Sequence, residues 1–366
     1  MKFTIKVEDL RSALSSLSSI IPKKHFNTYI TNTLACVSDS VVAFTGYNEA
    51  IQKTVRVECT AQDSMEILFD YNKVNNLSKM LPDGKMVTFT VKDGKLVVSC
   101  GKSRSTLSLS DVSSYPSMTI DELTVIDHDP KELSESIDTV FHASDRDNAK
   151  HEINGVAMIS GNGTVDVVAT NTARLSACKL PTSSSESFSM IIPYSSVSSV
   201  SKSLAAATNV GTDGRNLVVA GDDFLLVCQL FDGKYVPYDR VIPSDNTITN
   251  KLTFSKENMV NALKRIIAIA ENSYATTCVI TADTGTVDAT IQGNNSLGGK
   301  DEIIEVIPMT NDSKESFSIG FNPRFIMDAL SKISNETVNC TIHSGGFSML
   351  KFSEGNFVAI ITKKII

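Results

Sequence analysis

One pattern recurs six times along this 366-residue chain, and it limits the folds open to it. Its clearest copy runs from Ser318 to Ile361. Asn322 stands where an N-cap belongs, and Pro323 suits the first helical turn. Ile326, Ala329, Leu330 and Ile333 then recur at helical spacing and predict one apolar stripe. The polar break Ser334-Asn335-Glu336 follows. Val338, Cys340 and Ile342 alternate with polar residues as a strand does. Ser344-Gly345-Gly346 turns the chain, and Phe347 and Met349, then Phe357, Ala359 and Ile361, predict further strands.

The same order of helix and strands is written five more times. The six helical stripes are indexed by Leu10, Val74, Leu133, Val197, Met259 and Ile326, at separations of 64, 59, 64, 62 and 67 residues. Local signals support the copies. Asp70 and Ser255 stand at helix starts, and Asp129-Pro130 with Glu132 reads as a cap, a first-turn proline and a capping-box acid. Asp83-Gly84, Asp93-Gly94 and Asn162-Gly163 are hairpin turns. Each unit is a helix with about four strands, and pairs of units make domains of about 120 residues. The expected boundaries are 1–120, 121–248 and 249–366, falling after Ser117-Met118 and Pro243-Ser244-Asp245-Asn246. Helical solenoid repeats are shorter and carry less strand. Three unrelated α+β domains are the competing reading of the pattern.

Chemistry is sparse. His25, His128, His142, His151 and His343 form no close metal-ligand pair. The seven cysteines are scattered, odd in number and set in apolar runs, without C-x-x-C spacing. They read as reduced, buried small hydrophobes of a cytoplasmic protein. Gly161-Asn162-Gly163 lacks the rest of a dinucleotide fingerprint, and no phosphate-binding loop or nucleophile elbow is present. Asp145 and Asp147 are close without a carboxylate cluster around them. No cofactor and no metal site is expected. No signal peptide or membrane-length apolar run is seen, so no membrane partner is expected.

The basic residues say more. The net charge is −7, yet Lys23, Lys24, Lys73, Lys79, Arg146, Lys150, Lys202, Lys264, Arg265, Arg324 and Lys332 lie on or just after the six helices. If those helices share one face, an acidic protein presents a basic lining to phosphates. No base-reading motif accompanies them, so such contact is independent of sequence. Ordinary solvated helix faces account for the same lysines equally well.

Several short pieces resemble the bacterial sliding clamp, the beta subunit of DNA polymerase III. They are Met1-Lys2-Phe3-Thr4, Gly101-Lys102-Ser103-Arg104, Ile153-Asn154-Gly155, Val168 through Leu175, Asp232-Gly233-Lys234-Tyr235 through Tyr238, Arg240-Val241-Ile242-Pro243, and Gly320-Phe321-Asn322. Their order and spacing span the whole chain. The resemblance implies an α+β fold of three similar DNA-clamp domains, each built from two β-α-β-β-β units. It implies two copies closed head to tail into a ring around double-stranded DNA, with no covalent chemistry of its own. It implies a clamp loader, and a DNA polymerase and other proteins that carry short clamp-binding peptides. Carried over residue by residue, the peptide cleft comprises Ile153, Thr172, Arg174, Leu175, Arg240, Val241, Phe325, Ile360, Ile361 and Thr362. Packing between domains is the plainer use of its apolar members. The ring joint sets Ser105 and Leu107 against Ile266, Ile269 and Ala270.

The departures from the family are specific. Thr170-Asn171-Thr172-Ala173-Arg174-Leu175 stands where the family commonly has T-D-G-H-R-L. Thr362-Lys363-Lys364-Ile365 replaces a Met-Pro-Met-Arg ending, and the proline near Tyr235 is displaced to Pro237. Ser105 occupies a place often held by an aromatic, which removes apolar burial and predicts a weaker or differently packed dimer. Three readings result: a non-enzymatic sliding clamp, a clamp-like decoy or regulator that binds partner peptides without encircling DNA efficiently, and a nucleotide-processing α+β enzyme. Retention on circular DNA separates the first from the second. A buried cluster of carboxylates or histidines would favour the third.

Overall fold

The computed structural model describes residues 1–161, 163–182, 187–269, 277–283, 288–294, 302–313, 316–344 and 348–364. Ala270 of the expected joint, Asn162, Gly345 and Gly346 of the expected turns, Phe347 of an expected strand and Ile365 near the C-terminus lie outside the described residues. The side chain of Ile269 does as well.

Six modules of strand, helix and three strands follow one another. The first is Lys2–Lys6, helix α1 (Val7–Leu17), Asn32–Ser38, Val41–Tyr47 and Ile51–Glu58. The second is Met65–Asp70, α2 (Tyr71–Met80), Met86–Lys92, Lys95–Cys100 and Ser103–Ser110. The third is Thr124–Val125, α3 (Pro130–Val140), Gly155–Gly161, Thr164–Thr170 and Arg174–Pro181. The fourth is Ser189–Pro193, α4 (Tyr194–Leu204), Asn209–Thr212, Asn216–Ala220 and Phe224–Gln229. The fifth is Ile248–Ser255, α5 (Lys256–Ile269), Thr277–Ala282, Asp288–Asn294 and Glu302–Asn311. The sixth is Phe317–Phe321, α6 (Pro323–Ser331), Thr337–His343, Met349–Glu354 and Phe357–Thr362.

The helices form where the stripes predict them. Leu10, Val74, Leu133, Val197, Met259 and Ile326 are all buried, each anchoring its helix by removing apolar surface from water. Asp70 Oδ1 accepts from Lys73 N at 3.0 Å, Asn322 Oδ1 from Arg324 N at 3.0 Å, and Ser255 Oγ from Asn258 N at 3.4 Å. Each cap satisfies an orphan donor of the first turn.

Sister modules exchange their leading strands. Lys2–Lys6 of the first pairs with Met86–Lys92 of the second, and Met65–Asp70 of the second with Asn32–Ser38 of the first. Thr124–Val125 and Ser189–Pro193 do the same for the third and fourth modules. Ile248–Ser255 and Phe317–Phe321 do so for the fifth and sixth. All these pairings are antiparallel.

The chain divides into two compact units. One comprises Met1–Glu135 with Ser196–Phe231, the other Ser136–Ser195 with Asp232–Ile366. The described strands of the first unit form one 13-stranded sheet and those of the second a 12-stranded sheet. The closing strands of the modules join up inside each unit. Ile51–Glu58 pairs with Phe224–Gln229 in the first, and Arg174–Pro181 with Phe357–Thr362 in the second. Two closing strands are left. Ser103–Ser110 pairs with Lys95–Cys100 along one edge, but its other edge is joined only at Leu109 and Ser110. Glu302–Asn311 pairs with Asp288–Asn294 along one edge, and its other edge is joined only at Met309, Thr310 and Asn311.

Candidate functional site

The residues expected to form a peptide cleft all fall in the second unit, around one hairpin. Thr170 to Arg174 reverses the chain. Asn171 Oδ1 accepts from Ala173 N at 3.1 Å and Arg174 N at 3.0 Å, and Thr170 Oγ1 donates to Arg174 O at 2.7 Å. Thr172 is held at φ 74°, a left-handed conformation that is uncommon for a β-branched residue. The strand beyond the turn zips onto the last strand of the chain, with Arg174 opposite Ile361 and Leu175 opposite Ile360. Thr362 fastens the end: its N and Oγ1 both donate to Ala173 O, at 3.0 and 2.9 Å.

Helix α6 supplies the adjoining wall. The Arg174 guanidinium lies 4.2 Å from the centroid of the Phe325 ring and 2.5 Å from Asp328 Oδ2. Its side chain is 12% exposed, so the cation–π contact and the ion pair act with little water between them. His142 lies nearby, with Nε2 3.2 Å from Ser176 Oγ. Burial first, and then the positive charges of Arg174 and Lys332, push its imidazole down to about 3. It is therefore neutral across the physiological range.

The apolar members of the set divide into floor and rim. Ile153, Leu175 and Ile360 belong to a buried cluster with Tyr235 and Tyr238, and Ile361 is buried too. Of their two expected uses, cleft and core, burial shows the second: these four are covered by residues of the chain itself. Val241 is 42% exposed, Phe325 is half-buried, and Thr172 and Arg240 are exposed. Sequence reasoning missed the two tyrosines that support the floor. Tyr238 donates its hydroxyl to Asp166, and Lys179 reaches Asp166 at 3.4 Å and Asp239 at 3.6 Å. The spacing Tyr235-x-x-Tyr238 was the available signal.

The expected cations differ in exposure and in their partners. Lys23, Lys24, Lys73, Lys79, Arg146, Lys150, Lys202 and Lys264 are exposed. Lys23 and Lys24 sit in the segment after α1, and Lys73 pairs with Asp70 at 3.4 Å. Two others are already engaged. Arg265 makes a two-pronged pair with Glu305, Nε to Oε1 at 2.6 Å and Nη2 to Oε2 at 2.7 Å. Lys332 Nζ donates to Asp138 O at 2.9 Å. Their charge is less available to an outside phosphate than the helix positions implied. Arg324 is half-buried.

At the expected joint, Ser105 and Leu107 are half-buried on the partly unpaired strand Ser103–Ser110. Ile266 is buried in its own unit and offers no free apolar surface, because it continues the stripe of Met259 and Leu263. The exposed apolar side chains lie instead on the other partly unpaired strand, Ile304 at 59% and Val306 at 63%. They alternate with Ile303, Glu305 and Ile307 and so share one face.

Among the described residues, no group of three His, Cys, Asp or Glu side chains is placed to hold a metal ion. No described helix is long and apolar enough to cross a membrane. All seven cysteines are free thiols, and burial pushes Cys178 up to about 11 and Cys228 and Cys278 up to about 12. These thiols are packing groups rather than nucleophiles.

Three family models match in tandem, described as the N-terminal, central and C-terminal domains of the DNA polymerase III beta subunit, over residues 1–119, 128–237 and 239–356. The Beta sliding clamp of Pseudomonas putida is 23% identical over 366 residues, covering 97% of each chain. The Beta sliding clamp of Pseudomonas aeruginosa is 24% identical over 376 residues, again covering 97% of each. The crystal structure of the DNA polymerase III subunit beta from Pseudomonas aeruginosa superposes with a TM-score of 0.89 at 22% identity, covering 100% of both chains.

Proposed function

Because the chain belongs to the DNA polymerase III beta subunit family, we propose that it is a DNA sliding clamp, a ring of two copies that encircles duplex DNA and tethers the replicative polymerase. It does no covalent chemistry. A polymerase attached to a closed ring cannot diffuse away, so tethering raises its local concentration and becomes processivity. The division into domains at 1–120, 121–248 and 249–366 is supported by the leading strands, which pair only within successive pairs of modules.

The observation that carries the reading is the pair of unfinished edges. Four of the six closing strands find partners within the chain, and Ser103–Ser110 and Glu302–Asn311 keep open edges. An open edge that also exposes Ile304 and Val306 is an aggregation hazard unless something covers it. A second copy covers both: the Ser103–Ser110 edge of each copy meets the Glu302–Asn311 edge of the other. Two such joints close a ring. Ser105 and Leu107 face Ile304 and Val306 across each joint, and Ile269 ends the neighbouring helix.

The exposed lysines on and beside the helices, Lys23, Lys24, Lys73, Lys79, Lys202 and Lys264 with Arg146 and Lys150, meet phosphates diffusely and without sequence preference. That is what sliding requires. Short peptides of the polymerase, the clamp loader and other partners dock on the rim formed by Thr172, Arg174, Arg240, Val241, Phe325 and Thr362, above the floor of Ile153, Leu175, Ile360 and Ile361. An aromatic or leucine anchor of the peptide packs on Val241 and the half-buried Phe325.

Sedimentation at micromolar protein should give a dimer. Loaded protein should be retained on nicked circular DNA and lost when the circle is linearised. A monomer that binds partner peptides but shows no topology-dependent retention would instead make the protein a decoy or regulator.

A further inference from the structure

One lysine faces the core of the first unit. Along Ile51–Glu58 the side chains of Ile51, Lys53 and Val55 share the inward face, and Lys53 is only 9% exposed between two buried aliphatic neighbours. Its Nζ donates to Ser203 Oγ at 3.2 Å and lies 4.6 Å from the centroid of the Phe224 ring. Among the described residues no carboxylate comes within ion-pair distance. Asp223 is exposed in the same wall and only attracts it from further off. A buried ammonium is costly unless paired, and the contacts of this one are a hydroxyl and a ring face rather than a carboxylate.

The ammonium lines a cleft of about 460 Å³ that also takes in Ser15 and Ser19 at the end of α1 and Ser199, Lys202 and Ser203 of α4. The helix-end carbonyls near it already accept backbone hydrogen bonds. Ser15 O accepts from Ser18, Leu17 O from Ile20 and Ile21, and Ser203 O from Ala206. The polar groups lining the cleft are mostly serine hydroxyls, of which Ser199 Oγ donates to Ser19 Oγ at 3.1 Å and Ser18 Oγ to Ser15 O at 2.6 Å, and two lysine ammoniums, with Asp223 as the single carboxylate among the lining residues. That is a donor set for an anion.

We propose that this cleft is a binding site for a phosphate-type oxyanion, held by Lys53 and Lys202 and by the serine hydroxyls of α1 and α4. A tetrahedral oxyanion gives the Lys53 ammonium charged acceptors beside its one hydroxyl partner, and two cations with several hydroxyl donors suit phosphate better than a lone carboxylate. The cleft is larger than one phosphoryl group, which leaves room for the group to arrive attached to the backbone of DNA or to a nucleoside. Burial lowers the affinity of Lys53 for its proton; a bound anion restores it. The site does not depend on ring closure.

The test uses the full chain and inorganic phosphate. Thermal unfolding is followed in phosphate and in chloride at matched ionic strength. Phosphate should raise the midpoint of the wild type above chloride. Lys53→Met keeps the apolar stem, should be at least as stable without phosphate, and should lose about tenfold or more in phosphate affinity. Lys202→Ala, at an exposed position, should weaken phosphate several-fold without disturbing the fold, and it carries the test if Lys53→Met does not fold. No advantage of phosphate over chloride in the wild type would overturn the proposal. So would an advantage undiminished in both variants. Displacement of phosphate by a short DNA duplex would identify the backbone as the source. Displacement by a nucleoside monophosphate alone would identify a free nucleotide. Either result supports the site.

Discussion

Thr172→Gly should make the protein more stable, although it removes a side chain. Thr172 holds φ 74° at the turn that leads into the strand Arg174–Pro181. The turn does not depend on its side chain. Asn171 Oδ1 caps Ala173 and Arg174, and Thr170 Oγ1 both accepts from Thr172 N at 3.2 Å and donates to Arg174 O. The left-handed conformation costs a residue with a Cβ about 1–2 kcal/mol, and branching adds to the crowding. Glycine removes that cost but frees the unfolded chain by about 0.5–1 kcal/mol. The net gain is about 0.5–1 kcal/mol, or about 1–4 °C in the midpoint for a unit of this size. Differential scanning calorimetry of Thr172→Gly and Thr172→Ala checks it, with Ala expected close to the wild type because it keeps the Cβ. A Thr172→Gly protein less stable than the wild type, or an alanine variant that gains as much as glycine, would refute the argument from positive φ.

Four further outcomes follow from the geometry. Arg174→Ala strips Phe325 of its cation and leaves Asp328 unpaired, and should cost about 1–3 kcal/mol in chemical denaturation; Arg174→Lys should recover little of the binding of a partner peptide, since lysine lacks the planar stacking face. His142 is held neutral with a proton affinity lowered to about 3, so the unfolded chain binds the extra proton below pH 6.5. Its contribution is complete above that pH and is lost toward pH 3 at up to about 1.4 kcal/mol per pH unit, and His142→Gln should flatten the stability profile in that window. Aspartates at both Ile304 and Val306 should shift sedimentation from dimer to monomer while leaving the monomer folded, because both side chains are exposed within the chain. Ser105→Phe should tighten each joint by about 1 kcal/mol through added apolar burial and slow subunit exchange measured by fluorescence transfer.

The helices were the most legible part of the fold. A stripe such as Ile326, Ala329 and Leu330 behind an Asn-Pro start has few other uses, and the caps at Asp70, Ser255 and Asn322 formed as written. The exchange of leading strands between sister modules was not legible. Period-two alternation says which face of a strand is buried but not which neighbour it pairs with. Some information was present and passed over. Ile266 lies three and seven positions after Leu263 and Met259, which puts it in the core stripe rather than at a joint. Lys53 lies two positions from Ile51 and from Val55, on the apolar face of its strand. At the candidate cleft the ambiguity was physical: Leu175, Ile360 and Ile361 serve equally well as a ligand floor or as core, and only their burial tells how much surface remains.

The two open edges differ in a way that bears on how a ring of this kind works. In the proposed ring, Ile304 and Val306 bring apolar surface to one side of the joint, while the opposite strand answers with Ser103, Arg104, Ser105, Thr106 and Ser108 around Leu107 and Leu109. Backbone hydrogen bonds across the joint give register and direction, but each contributes little net once water is counted as the competitor. Apolar burial is the term that sets strength, and here one strand supplies most of it. Arg265 and Glu305 already satisfy each other beside this edge, so that pair adds no new attraction when the joint forms. In the proposed ring the two contacts act together through covalent connection within each chain. It opens when one of them is broken, which is the step that admitting DNA requires.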